Sequence, residues 1–426
     1  MSDFIEIEPA SRPLDSSLQP PGSKSLTNRA LPIAAMAAGR SVLSGVLASD
    51  DTRAMIDSLR MIGTTIEQGE NAQQILVDGL GGELGNDQAE LFIGNSGTTI
   101  RFLTAMLGFA GGKFQLDGIP RMRERPIGPL VDALCSLGAN VQAQSPGGCP
   151  PVLIDSGRVE GGLVKISGNL SSQYLSGLMM AAPLAKNGVE IEIEGSLISK
   201  PYVEMTQRVM EDFGVVCRSN DSFSRFEVPG GQAYVGREYL IEPDASAASY
   251  FWAAAAILGG TSTVTGLNKN SLQGDVGFVE CLEQMGCKVV WGANEISVTG
   301  PAQIGIDVDM SNVSDTVQTL AAVALFVDGP TSVRNVAHNR VKETDRIGNL
   351  AVELRKFGVE VDEHDDGLTI HPGALHGADI ETYDDHRMAM SLALVGLKVP
   401  GVKIYDPSCV SKTYPDFFKD LNAFVS

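Results

Sequence analysis

The sequence predicts an α/β protein of two similar domains, each a closed set of three repeated units with its most apolar helices inside. Length gives the first indication, since 426 residues at roughly 150 per domain allow two or three packing units. Two series of glycines give the rest. In SLRMIGTTIE, ALCSLGANVQ, VMEDFGVVCR, CLEQMGCKVV and LRKFGVEVDE, a pattern of apolar helix, glycine and alternating strand recurs at Gly63, Gly138, Gly214, Gly286 and Gly358, spaced 75, 76, 72 and 72 residues. A more apolar, Ala-rich pattern closes at Gly39, Gly111, Gly188, Gly259, Gly329 and Gly401, spaced 72, 77, 71, 70 and 72. Both periods lie near one sixth of the chain, 71 residues.

Each member of the first series reads as an amphipathic helix, a glycine at its C-terminus and an alternating strand. The sixth copy is YPDFFKDLNAFVS, where the sequence stops before its glycine. The second series holds NRALPIAAMAAG, TTIRFLTAMLGFAGG, SQYLSGLMMAAPLAKNG, SAASYFWAAAAILGG, TVQTLAAVALFVDG and HRMAMSLALVGLKVPG. Helices apolar on nearly all sides are buried, so each unit contains one buried helix, one amphipathic helix and intervening strands. Solenoid repeats have periods of about 20–50 residues, which favours two closed triplets.

The buried helices are preceded by PPGSKSLTN, IGNSGTT, GNLSSQ, EPDAS, NVSDT and YDDH. Equivalent units would point three helix N-termini per domain the same way. A helix N-terminus offers unpaired N–H groups and about half a positive charge, so two such surfaces facing across a cleft would bind small anions. Bases concentrate there: Lys24, Arg29, Arg101, the RMRERP loop with Arg121, Arg123 and Arg125, then Lys342, Arg346, Arg387 and Lys412. Taken singly, Ser171, Asp244, Ser314 and Asp384 read as helix N-caps. GSKS lacks the upstream glycine of a phosphate-binding P-loop, which disfavours a nucleotide triphosphatase.

Composition excludes other classes. Apolar residues make up 43% and charged residues 20%, as in ordinary globular chains. The formal charge of −20 argues against nucleic acid or an anionic membrane as partner. Six cysteines show no CxxC pair and no His at metal spacing, so they read as reduced small hydrophobes, with no metal expected. MSDFIEIEPA carries acids where a secretory signal carries bases, and no apolar run approaches the roughly 20 residues of a membrane span, so a cytoplasmic protein is expected.

PGSKSLTNRA, GNSGTTIRF, PRMRERPIGPLVDAL, SSQYLSGL, SKPYVEMT, RVKETDR, DDHRMAM and SKTYPDFF resemble, in order and spacing from about residue 20 to the end, the motifs of the 5-enolpyruvylshikimate-3-phosphate synthase family. The resemblance implies an α/β fold of two similar domains, each of three βαβαββ units with inward-facing buried helices, an inside-out α/β barrel. It implies a discontinuous domain of 1–21 plus 241–426 and a second of 22–240, hinged near residues 21 and 240, with the active site in the cleft between them. The implied reaction transfers the enolpyruvyl group of phosphoenolpyruvate to the 5-hydroxyl of shikimate 3-phosphate, releasing phosphate, on the route to chorismate and aromatic amino acids. No cofactor is implied, and a monomer that closes on its substrates is expected.

Carried over by position, shikimate 3-phosphate contacts Lys24, Ser25, Arg29, Ser171, Ser172, Gln173, Ser199, Asp315, His338 and Lys342. Phosphoenolpyruvate contacts Lys24, Gly97, Arg125, Gln173, Arg346, Arg387 and Lys412. Asp315 is the candidate for taking the hydroxyl proton, Glu343 for the carbon proton transfers, and Lys24 and His386 for assisting departure of phosphate. Gly97 with Thr98 implies competition by glyphosate. Two positions depart from the family pattern: His338 stands where Asn is frequent, and Phe102, where Pro or Leu is common, could shift the Gly97 turn. The rivals are UDP-N-acetylglucosamine enolpyruvyl transferase, which would show Lys-Asn at 24–25 and a reactive Cys in the RMRERP loop, and a non-catalytic anion-binding protein, which Asp315 and Glu343 argue against.

Overall fold

The computed structural model describes residues 3–169 and 171–426. The chain divides into two compact units, one containing the segment up to Pro21 together with Glu242–Ser426, the other Gly22–Ile241. The described strands form six sheets, three in each unit.

One repeat shows the building rule. Strand Gln88–Phe92 leads into buried helix Gly97–Ala110, strand Gly112–Asp117, helix Gly128–Ser136 and the hairpin Val141–Ser145 with Cys149–Ser156. The first two strands pair in parallel and the hairpin adds antiparallel, giving the βαβαββ unit. The buried helix is the crossover that a parallel pair requires. The repeat from Gly162 to Pro229 has the same order.

Chain crossings complete the remaining sheets. Strand Glu238–Leu240 pairs in parallel with Ala38–Ser44, supplying the first strand of the unit whose buried helix is Lys24–Met36. In the other unit Leu14–Leu18 pairs in parallel with Gly260–Thr265, and Phe4–Ile7 pairs antiparallel with Val402–Tyr405. The sheet built around Val402–Tyr405 has three strands where the other five have four. Its amphipathic helix is the sixth copy, Phe417–Val425, whose Phe417 and Phe424 rings pack on Phe251 of buried helix Ala245–Leu258.

The first glycine series has one structural meaning. Gly63, Gly138, Gly214, Gly286 and Gly358 all lie at φ between 91° and 97°. At Gly63 the glycine N–H donates to Arg60 O and the next N–H, of Thr64, reaches back to Leu59 O, the paired bonds of a left-handed helix stop. A side chain disfavours that backbone region, hence the recurrence of glycine. The second series is less uniform. Gly111 and Gly259 cap their helices directly, whereas Gly39, Gly188, Gly329 and Gly401 fall in the link or strand beyond, also at positive φ.

The six apolar helices are buried over nearly their whole length. In the unit holding the chain termini, three of them, Ala245–Leu258, Val317–Ala324 and His386–Gly396, touch one another. Ser249, Thr319 and Ser391, spaced 70 and 72 residues, join them by hydroxyl hydrogen bonds of 3.0 and 3.3 Å. These side chains satisfy one another inside the apolar core, where an unpaired hydroxyl would be penalised by about 1–3 kcal/mol.

Candidate functional site

In the unit Gly22–Ile241, serines cap the three buried helices. Ser23 accepts from Leu26 N, Ser96 from Thr99 N and Ser171 from Gln173 N. Lys24 opens the first helix with Nζ 3.8 Å from Asp51 Oδ2, a carboxylate in the first turn of helix Asp50–Met61. Arg29, one turn further, is 2% exposed. Its Nε donates to Thr206 Oγ1 at 2.8 Å, Nη1 to Ser25 O at 2.9 Å, and Nη2 to Tyr202 O at 3.2 Å and Ser176 Oγ at 3.5 Å. Phe102 and Tyr202 flank the guanidinium at 5.4 and 5.9 Å. Burial without a carboxylate partner pulls its pKa down to about 10.

The Gly97 helix contributes the next group. Arg125 Nη1 donates to Asn95 O at 2.9 Å and Asn95 Oδ1 at 3.2 Å, and its guanidinium lies so close to Gly97 that a Cβ there would overlap it. Gln173 Oε1 accepts from Arg101 Nη1 at 2.6 Å while its Nε2 donates to Thr98 Oγ1 at 3.2 Å. Ser172 opens its helix and is buried. Ser199 precedes helix Lys200–Asp212 in a left-handed conformation, φ 52° and ψ 46°, which is strained for a residue with a side chain. Phe102, in the second turn of the helix that starts at Gly97, is buried and packs its ring against the Arg29 guanidinium.

The unit holding both chain termini is built differently. Asp315, in the turn Ser314–Thr316 ahead of helix Val317–Ala324, gathers three cations: Lys342 Nζ at 2.6 Å and Arg346 Nη1 at 3.3 Å on Oδ1, Arg387 Nη2 at 2.7 Å on Oδ2. Glu343 lies 2.9 Å from Arg346 Nη2 and 3.3 Å from Lys412 Nζ. Asp385 binds Arg346 through two parallel bonds of 2.6 and 3.0 Å and caps helix His386–Gly396 by accepting from Arg387 N at 2.9 Å. Burial opposes the Arg346 charge, but the Asp385 and Glu343 carboxylates outweigh it and hold its pKa above the ordinary range. Lys342 shifts the other way, because burial outweighs attraction to Asp315.

His338 Nε2 lies 2.9 Å from Ser314 Oγ, which also accepts from Lys342 Nζ at 3.4 Å. Burial, then the charges of Lys342 and Arg346, push its pKa down to about 3, so it works as a neutral hydrogen-bonding group. His386 is fully buried with Nδ1 3.7 Å from Asp385 Oδ1.

The predicted residues thus gather into two sets. Lys24, Ser25, Arg29, Gly97, Arg125, Ser171, Ser172, Gln173 and Ser199 lie in the first unit. Asp315, His338, Lys342, Glu343, Arg346, His386, Arg387 and Lys412 lie in the second. Two cap readings are corrected. Asp385, not Asp384, caps its helix, because Asp384 is at φ 55°, outside it. Ser314 belongs to a short 3₁₀ turn, where its hydroxyl meets His338 and Lys342 instead of a helix N–H.

Two residues absent from the predicted set complete the geometry, Asp51 beside Lys24 and Asp385 on Arg346, while Arg101, expected only as a base at a helix start, holds Gln173. The DDT start of the Asp50 helix and the DDH motif carry the two carboxylates, but their partners are remote in sequence. Among the described residues no group of three or more His, Cys, Asp or Glu side chains could hold a metal ion. No described helix is long and apolar enough to cross a membrane. Burial pushes the Cys217, Cys281 and Cys409 thiols up to about 12, away from nucleophilic chemistry.

Residues 9–421 match the EPSP synthase (3-phosphoshikimate 1-carboxyvinyltransferase) family. A Nostoc punctiforme protein named 3-phosphoshikimate 1-carboxyvinyltransferase is 48% identical over 418 residues, covering 98% of each chain. A chloroplastic protein of the same name from Brassica napus is 48% identical over 99% of this chain and 85% of its own. The solved structure of EPSP synthase from Acinetobacter baumannii superimposes with a TM-score of 0.82 at 26% identity, covering 99% of this chain and 98% of that one.

Proposed function

Because the chain belongs to the EPSP synthase family, we propose that it transfers the enolpyruvyl group of phosphoenolpyruvate to the 5-hydroxyl of shikimate 3-phosphate and releases phosphate. The observation that carries the reading is the cluster in which two carboxylates, Asp315 and Glu343, sit among Lys342, Arg346, Arg387 and Lys412. Anion binding alone has no use for acids there; proton transfer does.

The reaction requires the 5-hydroxyl oxygen to bond to the central carbon of phosphoenolpyruvate while the methylene carbon gains a proton. The methyl group so formed then returns a proton as the carbon–oxygen bond to phosphate breaks. We assign the hydroxyl proton to Asp315 and the carbon proton transfers to Glu343, with Lys24 and His386 assisting phosphate departure. The cations around Asp315 are shared property. A ligand phosphate or carboxylate that draws Lys342, Arg346 or Arg387 toward itself leaves Asp315 a better proton acceptor.

For shikimate 3-phosphate we assign Lys24, Ser25, Arg29, Ser171, Ser172, Gln173, Ser199, Asp315, His338 and Lys342. For phosphoenolpyruvate we assign Lys24, Gly97, Arg125, Gln173, Arg346, Arg387 and Lys412. Bidentate guanidinium groups suit its phosphate and carboxylate. Glyphosate should compete with phosphoenolpyruvate at the Gly97–Arg125 turn. We place the reaction in the cytoplasm, carried out by a monomer.

Phosphate release measured with both substrates, and with each alone, tests the reaction. Release only when shikimate 3-phosphate and phosphoenolpyruvate are both present is expected. Turnover with UDP-N-acetylglucosamine as acceptor, or binding without release, would replace this reading by one of its rivals.

A further inference from the structure

The segment leading into Asp385 is backbone held against its own preference. Residues Thr382–Asp385 form a turn closed by Asp385 N–H donating to Thr382 O at 2.9 Å, and both central residues, Tyr383 and Asp384, have φ of 55°. They are the only consecutive non-glycine residues in the left-handed region among the described residues. Asp tolerates that region; an aromatic side chain is disfavoured there, so something outside the turn must hold it.

That something is Glu353, fully buried on helix Gly348–Arg355. Its Oε1 accepts from the Tyr383 hydroxyl at 2.7 Å and its Oε2 from Glu381 N–H at 3.0 Å, so one carboxylate grips the chain on both sides of Thr382. Lys356 Nζ, 2.7 Å from Oε2, compensates the charge. Burial and the neighbouring Glu353 keep the Tyr383 phenol above its usual pKa, so its hydroxyl remains a donor at working pH. Directly after the turn come the two bonds from Arg346 to Asp385 and the contact of Arg387 with Asp315. Neither Glu353 nor Tyr383 belongs to the predicted ligand set.

We propose that Tyr383, latched by Glu353, is a positioning residue that holds the left-handed turn and so aims Asp385 and Arg387, setting the affinity of the site for phosphoenolpyruvate. The proposal rests on the reading of the reaction given above. Replacement Tyr383→Phe removes only the latch hydroxyl. It should raise KM for phosphoenolpyruvate about tenfold while KM for shikimate 3-phosphate stays within about twofold, whatever stability the lost bond to the buried carboxylate removes. A second pair of variants reads the backbone itself. Tyr383→Gly accepts the left-handed conformation and should bind phosphoenolpyruvate better than Tyr383→Ala, although packing alone would favour Ala.

Equal rises in both KM values would reduce Tyr383 to a structural residue and overturn the proposal. So would an unchanged KM for phosphoenolpyruvate in Tyr383→Phe, or an Ala variant that outperforms Gly. If the unmodified protein neither binds nor turns over phosphoenolpyruvate, the reading of the reaction fails and the latch falls with it; normal turnover with an indifferent Tyr383→Phe removes the latch alone.

Discussion

The two units use one helix arrangement and opposite ways of partnering their bases. In Gly22–Ile241 the buried-helix caps are serines, Arg29 and Arg101 are held by hydroxyls, carbonyls and a side-chain amide, Arg125 bonds to Asn95, and Asp51 lies beside Lys24. In the other unit the caps are Asp244 and Asp385, and the bases are held by Asp315, Glu343 and Asp385. Neutral acceptors orient a cation and leave its charge for an incoming anion. Carboxylates cancel part of that charge and contribute groups able to exchange protons. We read the contrast as anion capture alone in Gly22–Ile241 and anion capture combined with proton transfer in the other unit, where Arg346, Arg387 and Lys412 also serve phosphoenolpyruvate.

Glu343→Gln attacks that division where the effect should be largest. The amide retains the size of Glu343 and abolishes its proton chemistry, so kcat should fall on the order of 10²–10⁴-fold. Binding of shikimate 3-phosphate, measured by calorimetry, should remain close to that of the unmodified protein. Because Arg346 and Lys412 lose a negative neighbour, KM for phosphoenolpyruvate should not rise. A raised KM at nearly full kcat would make Glu343 a positioning group.

Arg29→Lys breaks the neutral cage on the other side. A lysine cannot supply the donors that Thr206, Ser25, Ser176 and Tyr202 accept from, nor stack as a plane on Phe102. Loss of about 2–3 kcal/mol of stability is expected in urea unfolding, with a higher KM for shikimate 3-phosphate. An unchanged unfolding midpoint would mean that the cage contributes little.

Repetition made the architecture legible before any contact was known. A left-handed helix stop demands glycine, and at Gly63, Gly138, Gly214, Gly286 and Gly358 the same demand recurs at one period. The bases at the starts of the helices were legible for a related reason, since Lys24 and Arg387 sit within short motifs. What pairs with them was not. Thr206 lies 177 residues from Arg29, and Gln173 lies 72 from Arg101, so only folding brings them together. Glu353 had no motif, because a buried glutamate on an amphipathic helix reads as an exposed one until the turn it grips is seen.

Gly97→Ala tests the anion-capturing side more finely. The added methyl would overlap the guanidinium of Arg125, which Asn95 anchors through Nη1, so Arg125 must yield. KM for phosphoenolpyruvate should rise about tenfold, equivalent to about 1.4 kcal/mol, with kcat and shikimate 3-phosphate binding little changed. Glyphosate inhibition should weaken in parallel, read as a rightward shift of the curve at fixed phosphoenolpyruvate. An Ala variant with ordinary kinetics would show that Arg125 has room to move.

The smallest effect expected is one of pH, and it separates the units because all five histidines lie in the one that holds both chain termini. His338 is pushed down to about 3 in the folded protein, chiefly by burial and then by Lys342, against 6.5 when unfolded. As pH falls below 6.5 the unfolded chain takes up a proton at this position and the folded chain does not. Stability is therefore lost progressively between pH 6.5 and about 3 and levels off below. At pH 6 the loss from this residue is about 1 kcal/mol relative to pH 7.5. His338→Asn keeps a neutral hydrogen-bonding group beside Ser314 and cannot take up that proton. Urea midpoints of the two proteins should agree at pH 7.5 and diverge at pH 6, with the variant the more stable. If the divergence ran the other way, His338 would be protonated in the folded state, and the cations around Asp315 would not be governing their neighbour.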